Sequence, residues 1–148
     1  MKYFERFRAA TEASDPETAR AVLVPAICTM LADGEVEDEE IAQLDNVCAF
    51  SPIFAGFDGD QMTALVQGVM DDVRAQGRQA VLEGAGSALT PALAETALCF
   101  AARIALADGQ IEPGEKAALL KTGQVLRIET ATFQKVLDVV SMMQRPAK

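Results

Sequence analysis

At 148 residues, with a net charge of −9 and no histidine, the chain is long enough for one proper core and poorly suited to a phosphate backbone. Half of its residues are hydrophobic but only 5% are aromatic, and no Lys/Arg cluster offsets the acidity, so nucleic acid is not expected as a partner. Without imidazole there is no Ser-His or Cys-His nucleophile, and no phosphate cradle is present, so an enzyme is not expected either.

Residues 1–14, MKYFERFRAATEAS, mix charge with aromatics and lack the apolar centre of a signal sequence, which predicts a cytoplasmic protein. Asp15 and Pro16 then read as an N-cap and a first helical position. Val22, Leu23, Ala26, Ile27, Met30 and Leu31 keep one face of that helix apolar, with Pro25 bending it and Gly34 ending it. A second helix is predicted from about Asp38 towards Cys48, with Ile41, Leu44 and Val47 on one side and Ser51-Pro52 as the break. Asp58-Gly59-Asp60 opens a third, carrying Met62, Leu65, Val66, Val69 and Met70 inward. Residues 74–89 turn to Gln, Gly, Ala and Ser and read as a connector, with a short helix around Arg78 to Glu83. Thr90-Pro91 repeats the cap-plus-proline start, and Leu93, Ala97, Phe100, Ala101 and Ile104 carry that helix to Gly109. Helices from Pro113 to about Leu126 and from about Thr130 to Met143 follow.

The longest apolar stretches, AVLVPAICTMLA and ALCFAARIALA, are interrupted by Pro25 and Arg103 and are too short to span a bilayer. Cys28, Cys48 and Cys99 are odd in number and lack CxxC spacing, which argues against a disulfide framework and against zinc. All three are expected buried and free, as small hydrophobes.

The chain repeats itself. In a register of 75, Ala26, Leu31, Ala32, Asp33, Gly34, Val36, Glu37 and Glu40 fall on Ala101, Leu106, Ala107, Asp108, Gly109, Ile111, Glu112 and Glu115. After a shortening of four residues, Phe57, Met62, Leu65 and Val69 fall on Ile128, Phe133, Val136 and Val140. The expectation is one all-α domain over residues 1–148: a compact bundle of about seven helices made of two similar three-helix halves, about 15–73 and 90–143, joined by 74–89. The halves are expected to meet through the alanine-rich helices that end at Asp33 and Asp108.

The repeated corner, LADGEVEDEE and LADGQIEPGE, has a structural reading for most of its residues. Gly34 and Gly109 suit a helix C-terminus, Val36 and Ile111 a hydrophobic staple, and Glu40 and Glu115 the third helical position, where a carboxylate caps the backbone. Asp33 and Asp108 differ: each puts negative charge at a helix C-terminus, at a cost of about 0.3–1 kcal/mol. An Asx turn or a metal ion accounts for such a carboxylate equally well. An EF-hand is excluded, because its first and third ligands fall on Thr29 and Leu31 in one copy and on Ile104 and Leu106 in the other.

These two corners, each closing one helix and opening another in a duplicated helical chain, resemble the TerB family of tellurite-resistance and stress-response proteins over roughly residues 15 to 145. The resemblance implies a compact bundle of two similar halves with the acidic corners near one another. It also implies a divalent-cation site drawn from Asp33, Glu37, Glu40, Asp108, Glu112 and Glu115, and a protein partner in a stress-response complex, often a membrane-associated one. All-oxygen ligands favour calcium first, then magnesium or manganese, and no organic cofactor is expected. The second corner has Gln110, Pro113 and Gly114 where the first has Glu35, Asp38 and Glu39. Three carboxylates do not encircle a calcium ion, which takes about six to eight oxygens, so a site needs both corners or several waters.

Overall fold

The computed structural model describes residues 15–32, 36, 38–107 and 111–147. They form seven α-helices: Pro16–Met30 (α1), Asp38–Phe50 (α2), Gly59–Gln76 (α3), Arg78–Ala88 (α4), Pro91–Ala105 (α5), Pro113–Val125 (α6) and Thr130–Met143 (α7). A single 3-10 turn, Pro52–Phe54, joins α2 to α3, and no strand occurs among the described residues. The all-α bundle expected from the periodicity is what the chain adopts.

Two helices make the centre. Ala19, Val22, Leu23, Val24, Ala26 and Ile27 of α1 are fully buried, so α1 is covered nearly all round. In α5, Ala97, Leu98, Ala101 and Ala102 are likewise fully buried, and the two helices pack along one another. Alanine on both sides lets the backbones approach closely. Around this pair, α3, α4 and α6 pack on α1, while α2, α6 and α7 pack on α5. The Arg20–Asp72 ion pair ties the first half of α1 to the last turns of α3. Phe54 of the 3-10 turn is anchored against Phe100 of α5, ring centroids 6.3 Å apart.

The starts are made as the side chains dictate. Asp15 Oδ2 accepts the Thr18 N–H at 3.3 Å, and Thr90 Oγ1 accepts the Leu93 N–H at 3.2 Å. Asp58 and Gln61 form a reciprocal capping box at 2.8 and 2.9 Å.

The connector departs from expectation. α3 runs on to Gln76, and α4 continues to Ala88 rather than stopping near Glu83, burying Val81, Leu82 and Ala85. Gly77 makes the corner between them with φ of 89°, a backbone region that L-residues rarely enter. Gly86 lets α4 approach α6 closely, since a Cβ there would stand 3.2 Å from the Val125 carbonyl oxygen. The cysteines also differ from expectation. All are free, but only Cys28 is buried, while Cys48 and Cys99 sit half-covered on helix flanks.

Candidate functional site

The end of α1, the first turn of α2, the α3–α4 corner and α6 enclose a cleft of about 440 Å³. Glu40 and Glu115, the third-position acids of the two corners, both line it, and both are half-buried. Arg78 and Lys121 line it as well, so the cleft carries two carboxylates and two cations. Thr29, Gln76, Gln79 and Thr122 add neutral polar atoms, and Cys28 lies among its walls.

Each acid owes its place to helix geometry. Glu115 sits at the third position of α6, and its Oε1 accepts the Glu112 N–H at 3.4 Å. Glu112 is the N-cap of α6, exposed, and outside the cleft lining. Glu40 stands in the first turn of α2 with Asp38 and Glu39. Asp33, Glu37 and Asp108 lie outside the described residues. Among the described residues, no group of three or more His, Cys, Asp or Glu is placed to hold a metal ion. The described structure therefore brings two of the six expected acids to one cleft and puts a third at its own helix cap.

Two small side chains, Cys28 and Ala118, stand in the cleft wall. In the register of 75, Cys28 corresponds to Arg103 and Ala118 to Gln43. Arg103 Nη2 donates to Gln43 Oε1 at 3.0 Å across the α2–α5 contact, with the Arg103 Nε buried and unpaired among the described residues. That contact is filled by two long side chains. At the α1–α6 contact, cysteine and alanine stand in their places.

Burial pushes the Cys28 thiol up to about 11, with Arg78 acting in the other direction, so it is protonated at neutral pH. Arg78 and Lys121 were not singled out by sequence reasoning, because their relevance depends on the Gly77 corner and the packing of α6. The one signal available was Gly77 itself, a glycine between two stretches of helical pattern.

The described residues define an all-α bundle built on two buried alanine-rich helices, with an acid from each repeated corner on one cleft. The family model described as Tellurite resistance protein TerB matches residues 17–138, and the chain belongs to that family. Comparison with curated proteins gives no match, and comparison with solved structures gives none.

Proposed function

We propose that this TerB domain is a non-enzymatic, cytoplasmic binding module whose acidic corners take a hard divalent cation, calcium before magnesium or manganese, and whose surface meets a protein partner of a stress-response complex. The observation that supports it is the convergence of Glu40 and Glu115, 75 residues apart in sequence, on one cleft. Carboxylate oxygens suit hard ions, and Asp33, Glu37 and Asp108 are neighbours in sequence of the elements that frame this cleft. Among the described residues no helix is long and apolar enough to cross a membrane.

A metal-free scaffold is the second reading, and one observation favours it: the Glu115 carboxylate caps the Glu112 N–H, as a purely structural corner requires. Calcium titration by calorimetry separates the two. A ligand that binds only the folded state raises its stability by about 2.7 kcal/mol at a hundredfold excess over Kd. The expected result is a rise in melting temperature in millimolar calcium that Asp33→Asn and Asp108→Asn abolish. No response of the wild type to calcium, magnesium or manganese leaves the corners as caps.

A further inference from the structure

The first turn of α2 stands between two cavities. Glu40 lines the polar cleft, and the next residue, Ile41, lines a groove of about 600 Å³ between α2 and α3. Met30, Ile41, Leu44, Met62, Val66 and Met70 supply its apolar walls. From α2, Ile41, Leu44, Asp45 and Cys48 fall at the i, i+3, i+4, i+7 spacing of one helical stripe. From α3, Met62, Val66 and Met70 form a second stripe. The two stripes do not close on each other; α2 packs instead on α5 and the 3-10 turn. Ile41 is consequently 44% exposed and Val36, also on the groove, 38%.

Two apolar stripes held apart leave room for a third helix, the usual way a bundle completes its packing. Three of the chain's six methionines line the groove, and their flexible thioethers adapt to differing side chains. Charge selects the occupant. Asp45 and Asp58 line the groove and no Lys or Arg among the described residues does, while Val36 is followed and preceded in sequence by acids. An acidic segment is repelled here, and so is a second copy of a chain with net charge −9.

We infer that the α2–α3 groove docks a basic amphipathic helix of a partner protein, with apolar side chains at i, i+3, i+4 and i+7 and Lys or Arg flanking them. The proposal names the surface and partner chemistry of the binding module described above and rests on that reading only for its regulation. Thr29 of the cleft adjoins Met30 of the groove, and Glu40 adjoins Ile41. A cation that fixes this turn changes the groove wall, and cation and peptide then alter each other's affinity by the same factor.

The test uses the full chain and a fluorescein-labelled peptide of about five helical turns, Leu on one face and Lys on the other, read by fluorescence anisotropy in EDTA and in calcium. Binding is expected to weaken about tenfold or more for a scrambled peptide of the same composition and for a Glu-for-Lys peptide. Ile41→Lys and Met62→Lys, checked for helicity by circular dichroism, are expected to lose a similar factor, whereas Val139→Lys on α7 leaves binding unchanged. Equal binding of the scrambled peptide, or wild-type affinity in both groove variants, overturns the proposal. So does concentration-dependent self-association that Ile41→Lys removes, which makes a second copy the occupant. Peptide binding that ignores calcium keeps the groove and removes the linkage. A calcium response without peptide binding removes the groove and leaves the cation reading standing.

Discussion

Gly77 combines φ of 89° with ψ of 155°, a region open essentially to glycine, and a Cβ built there meets nothing within 4 Å. The cost of Gly77→Ala is therefore backbone strain alone, about 1–3 kcal/mol, expected as a lower urea midpoint at unchanged slope. Arg127 presents the opposite case, a long side chain at φ of 61° in the α6–α7 corner. Arg127→Asn, better suited to that region, is expected to stabilise by up to about 1 kcal/mol in the same assay. The thiols supply the pH dependence. Burial raises Cys28 from 9.0 to about 11 and Cys48 from 9.0 to about 12, the latter reinforced by Asp45. The unfolded chain releases these protons first, so their contribution is fully present below pH 9 and is lost as pH rises towards 11 and 12. Denaturation midpoints should fall across that window, less steeply in Cys48→Ala, whose thiol lies half-covered beside the groove.

At the scale of the helix, the starts are where local chemistry governs, and they were legible. Asp15-Pro16, Asp58 and Thr90-Pro91 each cap the helix that their side chains announce. Thr90→Ala is expected to destabilise by about 1 kcal/mol, measured by thermal or urea unfolding, because α5 loses its only side-chain cap on the Leu93 N–H. What was only partly legible was α4, which begins at Arg78 as expected but runs on to Ala88. Its glycines at 84 and 86 mimic a loop, and only the approach of Val125 explains why a helix needs a position without a side chain. The candidate site was half legible for a related reason. Glu40 and Glu115 could be named from the repeated corner, since helix register fixes their place in the first turn. Arg78 and Lys121 could not, because four elements must pack before they share a cleft.

For the whole molecule, charge is the governing quantity. With a net charge of −9, the folded chain repels itself, and monovalent salt is expected to raise its melting temperature modestly by screening. A calcium effect counts as binding only when it exceeds that of sodium chloride at matched ionic strength. The two ways in which the bundle's lateral contacts are filled carry the remaining consequence. Arg103 and Gln43 bridge one contact with a hydrogen bond, and the corresponding pair, Cys28 and Ala118, leaves the other open. Of these two corresponding contacts, the one with the small pair lines the cleft. Its stoichiometry in a cation titration is expected to be a single equivalent, and Cys28→Arg with Ala118→Gln, which copies the closed contact onto the open one, should bring that number to zero in a protein that still folds.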